Sequence, residues 1–235
     1  MTPKPKRKRE EPDPSLIVTS KRRKLVPLSV TKVYYQSPSY TKCGDMCGGC
    51  HSTVVLGPRA YREQNSDADP KKPTGILKAR EKYPQCSFKA GHLLNATLGG
   101  SGTDSNNLLI LTASANVKCN TFDNKLKNAL IHLGHIYGSL SRFYVDIAKV
   151  NYGIKVDIIV DKSSNWGPTP PDSYIHKTMH MKAAVWGSLD LNNLVDSGGE
   201  KVVLNESQKS EVQGHIGSFK SAVGEAADFT VTNSK

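Results

Sequence analysis

The sequence predicts an α+β fold, and three observations point there. Residues 88–126 read as strand, polar loop, strand and helix in succession. Residues 143–160 and 175–186 carry the pattern of further strands, and residues 205–223 return to a helical period. The run Leu108-Leu109-Ile110-Leu111 has the length of a buried strand. After Thr112 the period changes: Cys119, Phe122, Leu126, Ala129, Leu130, Leu133, Ile136 and Tyr137 recur every three or four residues, which is one face of a helix. Thr112 or Ser114 can cap that helix, and Gly134 or Gly138 marks its expected end.

The 235 residues divide into four stretches: a basic arm (1–30), a Cys-rich extension (31–85), a core with its following strands (86–195), and a polar C-terminal segment (196–235). Charge is concentrated at one end. Residues 1–32 hold ten Lys/Arg and three acids, +7 of the total +11, so the remainder is only mildly basic. The arm's charge and prolines predict disorder. Its two clusters, Lys6-Arg7-Lys8-Arg9 and Lys21-Arg22-Arg23-Lys24, stand eleven residues apart. That spacing resembles a bipartite nuclear-localisation signal and implies an import receptor as partner. The plainer alternative is a solvated arm that binds nucleic acid non-specifically. No run of eighteen apolar residues is present, so no membrane span is expected, and the basic start lacks the apolar segment of a secretory signal peptide.

Thr31 to Tyr40 is rich enough in β-branched and aromatic residues to enter the domain as a strand. Cys43, Cys47, Cys50 and His51 follow within nine residues, with glycines between them, a set that suits a structural Zn²⁺ knuckle; Cys86 is an alternative fourth ligand to His51. Five cysteines without a secretory signal do not suggest a disulfide framework. Gly57 to Gln85, rich in Pro and charge, reads as an irregular excursion whose Arg59, Arg62, Arg80 and Lys82 are candidates for a phosphate-facing wall.

The stretch from Phe88 to Leu126 carries the chemistry. His92 ends its first strand, where an imidazole can act as general base on water. Asn116 falls in the first turn of the helix, with Asn120 and Asp123 on the same side at i+4 and i+7. An amide oxygen or carboxylate there can hold a hard cation such as Mg²⁺, which keeps most of its waters and is completed by substrate phosphate.

Three blocks of this stretch, Gly91-His92-Leu93-Leu94-Asn95, Leu98-Gly99-Gly100-Ser101-Gly102, and Asn107-Leu108 through Leu111-Thr112 to Asn116, resemble the ββα-metal (His-Me finger) nucleases. The likeness is to the DNA/RNA non-specific endonuclease-like domains of bacterial polymorphic toxins. It implies a ββα-metal core on a mixed or antiparallel sheet. His92 would be the general base, Asn116 the direct Mg²⁺ ligand, and Asp123 (or Asn124) the acid that supports metal-bound water. Asn107 would brace the loop, and Lys89 and Lys118 would contact phosphate. Where the family has Arg before Gly-His this chain has Ala90, with Lys89 one step earlier, and Ile110 stands for the family's Pro.

The function implied is a metal-dependent endonuclease of broad DNA or RNA specificity, a toxin effector with an immunity protein as partner. With the basic arm, it would be delivered from a bacterial cytoplasm to a target-cell nucleus. The alternative is a non-enzymatic nuclear protein that binds nucleic acid through its arm and zinc knuckle.

Beyond the helix, His132 and His135 suit packing or exposed roles, since no carboxylate accompanies them. Phe143 to Val160 reads as two strands turning near Asn151-Tyr152-Gly153, and Ile175 to Trp186 as another, with His176 and His180 at the surface. Asn205 to Val223 places Val212, Ile216, Phe219 and Val223 on one helical face, for packing or docking.

Overall fold

The computed structural model describes residues 33–60 and 72–235. The two basic clusters, the arm expected to be disordered, and Arg62 lie outside the described residues. In chain order the elements are β1 (Tyr34–Gly44), β2 (Gly48–Leu56), α1 (Gly75–Lys82), β3 (Lys89–His92), β4 (Leu108–Leu111), α2 (Ala113–Arg142), β5 (Tyr152–Val160), β6 (Thr178–Gly187), β7 (Leu194–Val195), β8 (Lys201–Val202), α3 (Glu206–Glu225) and β9 (Phe229–Thr232). The fold is α+β.

Seven strands make one antiparallel sheet in the order β3-β4-β2-β5-β6-β9, with β1 paired to β2, while β7 and β8 form a separate pair. The join between the β3–β4 hairpin and the rest is narrow: Gly48 pairs with Leu109. The β2–β5–β6 centre is continuous, with Val54 opposite Val156 and Val156 opposite Ala183.

Strand alternation explains why Leu108–Leu111 is apolar throughout. Leu109 and Leu111 pack into the large core with Phe122, Leu126 and Tyr137 of α2 and Val212 and Phe219 of α3. Ile110 faces the other way, into a smaller cluster with Phe88, Trp166, Ile175 and, from α1, Ile76 and Ala79. A strand covered on both faces has no polar side. Each such buried Leu or Ile contributes about 1.5–3 kcal/mol.

Four expectations are corrected. α2 does not stop at Gly134 or Gly138 but runs to Arg142, because Phe143 N–H closes onto Ser139 and Leu140 and the chain then reverses at Tyr144, with φ +67°. Residues 143–151 form no strand; Val145, Ile147 and Val150 are buried in a turn that leads into β5. The excursion from Gly57 to Gln85 contains α1, anchored by Arg80, whose Nε and Nη2 both donate to the carbonyl of Phe88 at 3.1 and 2.7 Å. The polar C-terminal segment also supplies β9, the last strand of the sheet.

The C-terminus is fastened by one buried side chain. Asn233 Nδ2 donates to the carbonyls of Ile110 and His176, its Oδ1 accepts from Thr112 N–H, and its own carbonyl accepts from Trp166 Nε1 at 2.6 Å. α3 opens on a capping box between Asn205 and Gln208 and lays Val212, Phe219, Ala222 and Val223 against the core. No helix among the described residues is long and apolar enough to cross a membrane.

Candidate functional site

The loop between β3 and β4 is polar in composition yet fixed in shape. Two 3₁₀ turns, Ala96–Leu98 and Ser105–Asn107, are capped by the side chains of Asn95 and Asp104. Asn107 is fully buried and holds the loop from inside. Its Oδ1 accepts from Leu94 N–H at 2.8 Å, and its Nδ2 donates to the carbonyls of Leu94 and Ser101 at 2.9 and 2.8 Å. An amide makes these bonds of both polarities at once, which neither Asp nor Leu can do. Gly99 adopts φ +87°, and a β-carbon there would fall 1.3 Å from Tyr34 Oη, so the loop's Gly is required by the close approach of β1.

α2 begins directly after β4, with Thr112 capping Ala115 N–H. This brings Asn116 of its first turn against β3. A β-carbon on Gly91 would lie 3.0 Å from Asn116 Oδ1 and 2.4 Å from Leu111 Cδ1. Asn116 and Leu111 therefore stand where a side chain at position 91 would be. Pairing sets the faces: Gly91 and Lys89 share the α2 side with Leu109 and Leu111, whereas His92, opposite Leu108, lies on the other side. The two approaches meet at β3, an edge strand. His92 is half-buried and its Nε2 is fully covered.

Asp123 lies two helical turns beyond Asn116 and is buried. Its Oδ2 accepts from Asn95 Nδ2 at 2.8 Å. Burial raises its pKa from 3.8 to about 6, opposed by the Asn95 hydrogen bond and by Lys127. Asn124, the alternative acid-equivalent position, is exposed. Asn95 in turn accepts from Thr97 N–H and Thr97 Oγ1, so Asp123 ties the end of β3 to the middle of α2. Asn95 closes the Gly-His block, but its link to Asp123 depends on how α2 packs and is not visible in the sequence.

Other expected members are not brought together. Lys89 and Lys118 are exposed, and Lys118, two residues from Asn116, points about 200° around the helix from it. Lys82 Nζ bonds Asp172 Oδ1 at 3.0 Å, and Arg80 is spent on Phe88, so neither forms an open phosphate wall; Arg59 is exposed.

The cysteine set is regrouped. His51 Nε2 sits 2.6 Å from Asp157 Oδ1 across β2 and β5, and Cys86 packs beside the Trp166 cluster, so neither joins the knuckle. Instead His176, expected at the surface, is buried, with Nε2 3.4 Å from Cys43 Sγ. His132 and His135 meet edge to face, and the His135 ring also lies at a tilt against His215 of α3. A concave pocket of about 520 Å³ lies at the far end of β6, lined by Asp146, Trp186, Asp190 and Asn193, and shares no residue with the β3–α2 region. Searches against protein-family models, curated proteins and solved structures find no match.

Proposed function

We propose that the chain is a ββα-metal nuclease that hydrolyses phosphodiester bonds of DNA or RNA without sequence specificity. The observation that carries this reading is the approach of Asn116 Oδ1 to Gly91, the residue before His92 on the same short edge strand, with His92 on that strand's other face. Asn116 is half-buried beside an edge strand, and its amide oxygen is a ligand type that a hard cation takes. Asn116 would hold Mg²⁺ or a similar ion. Such an ion supplies charge stabilisation for the phosphate and the leaving oxygen.

The chain's own groups do the rest. His92 accepts the proton of the attacking water on its imidazole. Asn107 keeps the loop after His92 in one conformation, so the ring cannot swing with it. Asp123 acts through Asn95, fixing the distance between strand and helix; its burial favours positioning over direct contact with bulk water. Lys89, exposed on the strand that carries His92, is the nearest basic side chain along it for a substrate phosphate. Contacts of this kind grip the sugar-phosphate backbone and carry little base information.

With the basic arm, the reading extends to an effector that enters a target-cell nucleus, with an immunity protein protecting the producing cell. The test is digestion of supercoiled plasmid and structured RNA by the purified chain with Mg²⁺ and with EDTA, beside Asn116→Ala. Cleavage that needs the ion, and an Asn116→Ala variant that needs far more of it, support the proposal. Cleavage indifferent to EDTA would refute it. The cysteine–histidine cluster favours one rival, a non-enzymatic nucleic-acid-binding protein; deleting residues 1–30 should abolish binding under that reading and leave cleavage in solution intact under ours.

A further inference from the structure

Cys43 closes β1, Cys47 sits in the turn that follows, and Cys50 lies three residues on in β2. His176 comes from the segment before β6, far away in sequence, and reaches the same point because β2, β5 and β6 are neighbours. The ligand atoms of Cys43, Cys47 and His176 all lie within 4.8 Å of one another. A tetrahedral Zn²⁺ with Zn–S of about 2.3 Å and Zn–N of about 2.0 Å sets its ligand atoms roughly 3.5–3.8 Å apart. The Cys43–His176 separation of 3.4 Å is already at that value, and the others need to contract by at most about 1 Å.

We propose that Cys43, Cys47 and His176, completed by Cys50, form a structural Zn²⁺ site that staples the β1–β2 hairpin to the segment entering β6. Cys50 Sγ now rests on the Thr41 carbonyl at 3.4 Å, a weak contact that a metal bond readily replaces. Without a cation Cys43 stays a neutral thiol, because burial and then its neighbours Cys47 and Cys50 push its pKa up to about 12, so binding a metal releases its proton. Burial lowers the His176 pKa and keeps its ring in the neutral form that ligates. Three thiolates and one imidazole leave the site at −1 with Zn²⁺ bound. Lys162, whose charge acts on the Cys50 and Cys43 thiols, supplies the balancing charge at the rim. Because Gly48 is the single pairing between β2 and the candidate catalytic hairpin, the staple holds the strand from which that hairpin hangs.

The test is metal content and Co²⁺ spectroscopy of the full chain purified under reducing conditions. About one Zn²⁺ per chain is expected. Exchange with Co²⁺ should give the intense near-ultraviolet thiolate charge-transfer band and the visible bands of a tetrahedral centre. His176→Ala and Cys47→Ser should each lower Zn²⁺ affinity by at least tenfold, while His51→Gln and Cys86→Ser leave it unchanged. Wild-type protein that takes up no Zn²⁺ and shows no cobalt–thiolate band overturns the site without reliance on any variant. So does a Cys43–Cys47 disulfide in the freshly reduced and desalted chain, or a loss of metal in His51→Gln equal to that in His176→Ala. Nuclease activity plays no part in these readouts, so the site stands or falls apart from the proposed function.

Discussion

Asn95 Nδ2 donates to Asp123 Oδ2 at 2.8 Å, joining the residue that ends the Gly-His block to a carboxylate in the middle of α2. The bond is made in a buried place, and burial raises the Asp123 pKa from 3.8 to about 6 despite the opposing pull of Asn95 and Lys127. An acid whose folded pKa is raised is released earlier by the unfolded chain. Stability therefore falls as pH rises from about 4 to about 6 and is level above that, a loss of at most about 3 kcal/mol. Asp123→Asn, which keeps an acceptor for Asn95, should lack this slope. Urea titrations of both proteins across the window measure it; parallel pH profiles would contradict the burial argument.

Gly91 leaves no room for a side chain on the α2 side of β3. An added β-carbon meets Leu111 Cδ1 at 2.4 Å and Asn116 Oδ1 at 3.0 Å. Gly91→Ala should displace the Asn116 amide and lower cleavage at fixed Mg²⁺ by tenfold or more, at a folding cost of about 1–3 kcal/mol. Unchanged metal dependence in a folded Gly91→Ala protein would argue that Asn116 is not at the working centre.

Gly134 and Gly138 make the opposite case. Both lie inside α2, and a β-carbon on either meets nothing within 4 Å. Gly→Ala at each should stabilise by about 0.5–1 kcal/mol, because alanine loses less backbone freedom in a helix. Thermal melts of the single and double variants check this, and additivity is expected where neither side chain touches a partner.

What the sequence made legible follows from local physics. The helical period from Cys119 to Tyr137 survives in α2 because one face must meet the sheet, and Leu108–Leu111 is uniformly apolar because Ile110 and its neighbours are covered from both sides. The Val212, Ile216, Phe219 and Val223 stripe likewise became the packed face of α3. Asn107 was readable as an amide closing a Gly-rich loop. His176 was not: its link to Cys43 depends on β1 and the entry to β6 converging through β2 and β5, and no spacing encodes that. α1 was hidden in a Pro- and charge-rich stretch because only Gly75, Ile76 and Ala79 are buried, and tertiary bonds such as Arg80 to Phe88 hold it in place. Gly134 and Gly138 misled for a related reason. A helix packed along most of its length runs through glycine, and only the reversal at Tyr144 ends it.

Under the proposed function, His92 is the general base of a metal-dependent nuclease. The most direct measurement is cleavage of supercoiled plasmid and structured RNA in Mg²⁺ by wild-type protein and by His92→Ala at equal concentration, with circular dichroism on both. His92 is half-buried on an edge strand, so the variant should keep the fold. We expect wild-type cleavage and a loss of at least a hundredfold in the folded variant. Equal cleavage by the two proteins, or none by wild type with any divalent ion, would contradict the account.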